Sequence, residues 1–145
     1  AKTNGCDFVI NYSNENFESK VNDFTNKHGA DVIYDAVGKD TFERGLNCLA
    51  KRGRIVSYGI SSGKIDPIDI NKLRPLSASI ATGGLLEYTK NIDEYQKNAD
   101  DLFNLVNESK IKIQIYKEYN FDEIQKAHIE LEQRKSVGKI IINLR

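Results

Sequence analysis

The chain has 145 residues, of which 39% are hydrophobic and 29% charged, which is typical of a folded globular protein. Its 21 basic side chains balance its 21 acidic ones, so no net charge favours binding to nucleic acid or to an anionic membrane. No apolar stretch approaches the roughly 20 residues that a membrane-spanning helix requires. Cys6 and Cys48 form no zinc-ligand pattern with the two histidines, and we expect free thiols in a reducing cytoplasm.

The first sixty residues predict a parallel sheet in which strands alternate with helices. Three β-prone runs are expected at 7–12, 30–38 and 54–59. Ser13 or Asn14 is expected to cap the helix between the first two runs. Asp40 is expected to cap the next helix, which turns Phe42, Leu46 and Leu49 inward and ends at Gly53.

The pattern changes after residue 60. A polar connection over 60–75 leads to a weak strand over 76–82, and Gly83-Gly84 predicts a break between two parts of the chain. The elements predicted beyond the break are an amphipathic helix (91–109), an alternating strand (111–116), a capping box with its helix (120–131) and a final strand (138–144).

Glycine and polar residues follow the three predicted strands of the first part, at 11–12, 36–38 and 58–61. Parallel sheets bind ligands at the carboxyl ends of their strands, so these positions favour a nucleotide crevice, although each glycine alone also suits a tight turn. No G-x-G-x-x-G motif is present. Either the ligand is not a dinucleotide, or the segment that holds its phosphates precedes residue 1.

The sequence offers no catalytic residue and no metal site. There is no Ser-His-Asp, Cys-His or paired-carboxylate arrangement, and His128, among apolar residues of a predicted helix, is interpreted as structural. Asp31 and Asp35 share one face of a strand at a spacing too long for an acid–base pair.

Four segments together resemble one family, the zinc-free quinone oxidoreductases (the zeta-crystallin-like branch of the medium-chain dehydrogenase/reductases). The segments are 10–12 (INY), 31–42 (DVIYDAVGKDTF), 48–59 (CLAKRGRIVSYG) and 127–140. The resemblance implies an α/β fold: a partial Rossmann-like parallel sheet with flanking helices, lacking the first strands and the glycine-rich turn, plus a C-terminal α+β segment. Residues 1–82 would be the C-terminal part of the NAD(P)-binding domain, and residues 83–145 the C-terminal return segment of the catalytic domain.

The resemblance also implies a function. Family members transfer hydride from NADPH to a quinone or a conjugated carbonyl such as an enone, so this chain is expected to be a fragment of such an enzyme, inactive alone and cytoplasmic. Members commonly form homodimers through the last sheet strand, near Ser77–Thr82 here. One alternative is therefore a non-catalytic association module derived from the same fold. Another doubly wound enzyme, such as a methyltransferase with an adenosyl cofactor, is a third hypothesis.

The cofactor-binding residues that we expect are Tyr12, Val37, Tyr58, Gly59, Ser61 and Arg134. By resemblance, Tyr12 would lie against the 2′-phosphate of NADPH, the loop from Tyr58 to Ser61 would contact the nicotinamide end, and Arg134 would lie near the cofactor. The chain departs from the family at Ile60, where members usually carry Asn, and at Gly83, where they often carry Arg. Neither side chain present here can donate a hydrogen bond.

Overall fold

A computed structural model describes residues 1–133 and 135–144. The α-helices are α1 (Phe17–Phe24), α2 (Phe42–Leu46), α3 (Leu85–Tyr88), α4 (Ile92–Asn107) and α5 (Ile124–Glu132). The strands are β1 (Ala30–Asp35), β2 (Leu49–Ser57), β3 (Ser79–Thr82), β4 (Ile115–Asn120) and β5 (Lys139–Asn143). Short 3₁₀-helices cover Lys2–Asn4, Ile70–Leu76 and Phe121–Glu123. The contacts divide the chain into two compact units, Ala1–Leu85 and Leu86–Arg145.

The first unit is built on a parallel three-stranded sheet in the order β1-β2-β3. Ile33 of β1 is paired with Ile55 of β2, which is paired in turn with Ile80 of β3. This row of β-branched side chains crosses the sheet and suits a pleated, covered face. The predicted α/β fold with a parallel sheet is confirmed.

The core of the first unit lies where α2 packs on β2. Phe42 and Ile55 are almost fully buried, at 1% and 0% exposed, and each such burial contributes roughly 1.5–3 kcal/mol. Gly45 allows the close approach, because a Cβ at this position would lie 3.1 Å from Cδ1 of Ile55. This packing holds the carboxyl-terminal part of β2 in place, and the candidate site follows that end of the strand.

The prediction of a strand over 7–12 is wrong. Within the described residues, no strand pairs with this segment, and a β-strand forms only where a neighbour completes its ladder. Instead, Phe8 stacks on Phe24 of α1 at 4.1 Å between ring centroids and remains 60% exposed. The cap of α1 also differs, because Oδ1 of Asn16 accepts the Ser19 N–H at 3.2 Å.

The boundary between α2 and β2 also differs from the sequence prediction. Helix α2 ends at Leu46, with Thr41 instead of Asp40 at its N-cap, and Leu49 opens β2. Leu49 is buried as expected, but as a strand residue paired with Ala30, and a register shift follows before Arg54 pairs with Val32. Arg52 has φ 62° at this shift. Strand β2 therefore continues through Gly53, the residue that was expected to end the helix.

Helices α1 and α2 are linked by the carboxylate of Glu18. Its oxygens accept hydrogen bonds from Nδ2 of Asn47 at 2.9 Å and from Nε of Arg44 at 3.1 Å. The Asn47 amide and the Arg44 guanidinium lower the pKa of Glu18, against the opposing effect of burial. Arg44 also lies over the Phe17 ring, 4.3 Å from its centroid, so this cluster joins the helices by charge and by ring contact.

The second unit contains α4 and a parallel pair of strands, β4 and β5, which flank α5 in the sequence. Asn91 caps α4 by accepting the N–H groups of Asp93 and Glu94, so the helix predicted over 91–109 is confirmed apart from its last residues. The strand predicted over 111–116 begins only at Ile115. Within the described ranges, no helix is long and apolar enough to cross a membrane.

Candidate functional site

Two loops follow neighbouring strands at one edge of the first unit's sheet. The first loop (residues 36–41) follows β1, and the second loop (residues 58–63) follows β2. The ladder between the strands ends where Asp35 faces Ser57, and one further bond runs from the Tyr58 N–H to the Asp35 carbonyl at 3.0 Å. Both loops therefore lie at the carboxyl ends of parallel strands, where α/β sheets bind ligands.

The carboxylate of Asp35 organises the first loop. Its Oδ1 accepts the N–H groups of Val37 at 2.8 Å and Gly38 at 2.7 Å, and its Oδ2 accepts the Thr41 hydroxyl at 2.7 Å. Asp35 is 6% exposed, and a buried carboxylate is tolerated only when such donors satisfy it. The charge of Asp35 is therefore directed at the backbone of its own loop.

Ser62 joins the second loop to the first. Its hydroxyl donates to the Val37 carbonyl at 2.8 Å and accepts the Asp40 N–H at 3.0 Å. Its own N–H also donates to the Val37 carbonyl, at 2.8 Å, and the Lys39 N–H donates to the Gly63 carbonyl at 3.2 Å. The loops consequently form one hydrogen-bonded unit.

Two glycines are required for the loops to lie this close. Gly38 has φ +91°, and a Cβ there would lie 2.7 Å from the Gly63 carbonyl oxygen. At Gly59, a Cβ would lie 2.5 Å from the Ala36 carbonyl oxygen. Any side chain at either position would force the two backbones apart.

A cavity of about 240 Å³ lies beside the first loop. Its lining includes Tyr12, Phe17, Ile33, Asp35, Val37 and Cys48. Tyr12 is 42% exposed, whereas Cys48 is buried, and burial raises the pKa of the Cys48 thiol to about 11. The cavity is therefore mostly apolar, with polar side chains at Tyr12, Asp35 and Thr41.

The structure brings only some of the expected cofactor residues together. Tyr12 and Val37 line the same cavity. Tyr58 and Gly59 lie on the second loop, which does not line that cavity; Tyr58 is 57% exposed. Ser61, on the same loop, donates its N–H to the Ala36 carbonyl at 3.4 Å. Arg134 lies outside the described residues.

The sequence assigned no role to the residues that hold the site together. Asp31 and Asp35 are excluded there as an acid–base pair, and no role is predicted for Thr41 or Ser62. A local signal was available for Asp35, because an Asp side chain that accepts an N–H two residues later is a common turn. No local signal joins Ser62 to Val37, which are 25 residues apart.

A larger cavity, of about 640 Å³, lies beside β3 instead of at the strand ends. Its lining includes Ile68, Leu73, Arg74, Ala78 and Ile80. It faces the sheet edge, where backbone groups are available for pairing with another strand.

No metal site is found in the residues described. Within residues 1–133 and 135–144, no group of three or more His, Cys, Asp or Glu side chains comes together to hold an ion. Zinc in proteins is bound by Cys, His and carboxylate ligands. This part of the chain therefore provides no zinc ligand set.

The sequence profile described as zinc-binding dehydrogenase matches residues 4–142. The quinone oxidoreductase of Pseudomonas aeruginosa is 34% identical over 143 residues, covering 98% of this chain and 44% of that protein. A 2-haloacrylate reductase of a Burkholderia species is 33% identical, with 98% and 43% covered. The crystal structure of Escherichia coli quinone oxidoreductase complexed with NADPH is matched with a TM-score of 0.84 and 32% identity, covering 94% of this chain and 43% of that one. The chain thus spans less than half the length of these relatives.

Proposed function

Since this chain belongs to the zinc-binding dehydrogenase family, we propose that it is part of an NADPH-dependent quinone oxidoreductase. Such an enzyme transfers hydride from NADPH to a quinone or to a conjugated carbonyl. The relatives named as quinone oxidoreductases, the 2-haloacrylate reductase and the structure solved with NADPH support this proposal. We expect the isolated chain to be inactive.

The joined loops at the carboxyl ends of β1 and β2 carry the proposal. Within the described part of the chain, the N–H groups of Gly59 and Ile60 donate to no other group. A flat ring that carries a carboxamide could place its carbonyl oxygen against these N–H groups as the missing acceptor, and no side chain at Gly59 would block it. The nicotinamide end of the cofactor has these properties.

The other residues that we expect at the site would contact the remaining parts of the cofactor. Tyr12 would lie against the 2′-phosphate, and Arg134 would add a positive charge near the cofactor. The backbone N–H and carbonyl of Val37 are already used by Asp35 and Ser62, so Val37 offers its apolar side chain. Ser61 and Tyr58 would contact the ring from the second loop.

The chemistry follows from these roles. The cofactor supplies the hydride, and the protein orients its ring and excludes water. As hydride reaches a quinone or enone, negative charge grows on the carbonyl oxygen, and positioned donors stabilise it. We assign no side chain of this chain as a catalytic residue.

The proposal is tested by mixing the purified chain with NADPH and a quinone. We expect NADPH fluorescence to report any binding, while the absorbance of the reduced cofactor stays constant because the isolated chain does not turn over. Tyr12→Ala should weaken binding of NADPH more than binding of NADH, and Tyr88→Ala, an exposed tyrosine of the second unit, is the matched control. Rapid quinone-dependent oxidation would refute the expected inactivity, and equal loss for both cofactors would refute the role of Tyr12.

A second candidate function is association through β3. Among the residues that the structure describes, no strand pairs with the second edge of β3. Ladder bonds of a strand alternate in direction, and the Gly83 N–H donates to the Ser57 carbonyl of β2, so the N–H of Ile80 faces away from β2. This donor is free to pair with the same strand of a second copy.

Light scattering tests this association. Ile80→Pro removes the outward donor but no bond to β2, and we expect it to convert a dimer into a monomer. Ile80→Ala is the control, because it shortens the side chain and keeps the donor, and it should remain dimeric. A monomeric wild-type chain, or a dimeric Ile80→Pro variant, would exclude pairing through this edge.

A further inference from the structure

Asp35 occupies the last position of β1 and directs three hydrogen bonds into the first loop. Both carboxylate oxygens are used, Oδ1 by the N–H groups of Val37 and Gly38 and Oδ2 by the Thr41 hydroxyl, at 2.7–2.8 Å. Within the described residues, no cationic side chain pairs with Asp35. The carboxylate therefore serves the geometry of one backbone turn.

The second loop depends on that turn without touching the Asp35 side chain. Its anchor is the Val37 carbonyl, which accepts both the N–H and the hydroxyl of Ser62, each at 2.8 Å. This carbonyl shares one planar peptide unit with the Gly38 N–H, and that N–H donates to Oδ1 of Asp35 at 2.7 Å. The order of dependence is thus Asp35, then Val37, then Ser62.

The strand ladder ends before both loops, so their geometry depends on their own hydrogen bonds. The ladder of β1 and β2 ends at Asp35 and Ser57, and the buried core cluster, which includes Phe42, Ile55 and Leu73, contains no residue of either loop. Beyond the ladder, a loop without its own bonds would sample several conformations, and ordering it on binding would cost affinity.

We propose that Asp35 is a positioning residue that holds both loops, through Val37 and Ser62, in the geometry that receives the nicotinamide ring. This inference rests on the proposed function, because the ring identifies what the loops receive. Asp35 acts through the Val37 and Gly38 N–H groups and the Thr41 hydroxyl, which occupy both of its carboxylate oxygens. Its loss should therefore weaken cofactor binding and leave the quinone KM unchanged.

Amide hydrogen exchange measured by NMR on the 145-residue chain tests the coupling directly. In Asp35→Ala, the amides of Val37, Gly38 and Ser62 should all exchange at least about tenfold faster, since each loses a bond or its anchor. Asp35→Asn should restore most of the protection, because its carbonyl oxygen still accepts the two N–H groups and its amide can donate to the Thr41 hydroxyl. The matched control is Asp31→Ala, an exposed position on the same strand.

Ser62→Ala tests the second step of this coupling, from Val37 to Ser62, separately from the first step, from Asp35 to Val37. It should accelerate exchange at Asp40, whose N–H loses its acceptor, while Val37 and Gly38 stay protected by Asp35. Should Asp35→Ala not fold, this variant and Asp35→Asn still decide the proposal. Unchanged exchange at Ser62 in Asp35→Ala, or faster exchange at Gly38 in Ser62→Ala, would overturn it.

The second measurement is the dissociation constant for NADPH, and it uses the full-length protein. We expect the NADPH dissociation constant to rise about tenfold in Asp35→Ala and in Ser62→Ala, and to stay near wild type in Asp35→Asn and Asp31→Ala. Faster exchange with unchanged affinity would overturn the positioning role. If the wild-type protein binds no NADPH, the proposed function fails, and the exchange experiment still shows whether Asp35 couples the loops.

Discussion

A methyl group at Gly59 would collide with backbone that cannot move independently. Its carbon would lie 2.5 Å from the carbonyl oxygen of Ala36 and 3.0 Å from the carbonyl carbon and Cα of the same residue. All three atoms belong to the backbone of the first loop, so no side chain can turn aside to relieve the contact. Gly59→Ala therefore tests whether the two loops must lie together.

The cost follows from the distance by which the loops would separate. Ordinary contact begins at 3.4 Å, so the backbones must part by about 0.9 Å. The Ser61 N–H to Ala36 bond is 3.4 Å long and the Ser62 N–H to Val37 bond is 2.8 Å, and neither survives such a movement. Two lost hydrogen bonds of about 1 kcal/mol each give a destabilisation of roughly 2 kcal/mol.

Urea unfolding followed by far-UV circular dichroism measures this loss, since the free energy of unfolding falls linearly with denaturant. Gly84→Ala is the matched control, because nothing lies within 4 Å of a Cβ at that position. We expect the control to be neutral or slightly stabilising, as alanine restricts the unfolded chain. Equal stability of the Gly59→Ala and Gly84→Ala variants would refute the close packing of the loops.

Two further predictions follow from ionisable groups in the first unit. Because its hydrogen-bond partners hold the pKa of Glu18 below its ordinary value of 4.5, the stability it contributes is present above that value and is lost as the pH falls through the lowered pKa. The urea midpoint of Glu18→Gln should therefore fall less between pH 7 and about pH 3 than the midpoints of the wild type and of the control variant Asp66→Asn. Parallel pH profiles of the three proteins would contradict this. Because Cys48 is buried with a pKa raised to about 11 while Cys6 is exposed, a thiol reagent at pH 8 should react quickly with about one thiol in the native chain and two in denaturant. Cys6→Ser should abolish the fast reaction, and a rapid native reaction of that variant would show that Cys48 is accessible.

The sequence was sufficient to predict an element where the residues that determine it lie within that element. The helix α4 has an apolar stripe and a capping Asn91, and both are readable without any partner. The strands ending near Asp35 and Ser57, and the glycines after them, were equally visible, because buried strands and tight turns have strong local signals. The α/β class and the location of a candidate site at the strand ends followed from these features.

The boundaries of paired elements depended on partners that local sequence does not specify. Residues 7–12 have strand composition but no partner strand in the described chain, and Phe8 packs on α1 instead. In the second unit, alternation begins near residue 111, but pairing with β5 starts only at Ile115, and Tyr119 is the residue that becomes buried. A strand is defined by the register of its neighbour as much as by its own pattern.

By itself, the sequence determined which residue types stand after each strand, and hence that a polar, glycine-containing edge would exist. Only the tertiary structure decided how that edge is held: Asp35 turns inward onto Val37, and Ser62 reaches the same residue across 25 positions of the chain. The reason is physical. Hydrogen bonds between distant loops form only after the sheet has brought its strand ends together, so their partners cannot be inferred from spacing along the chain.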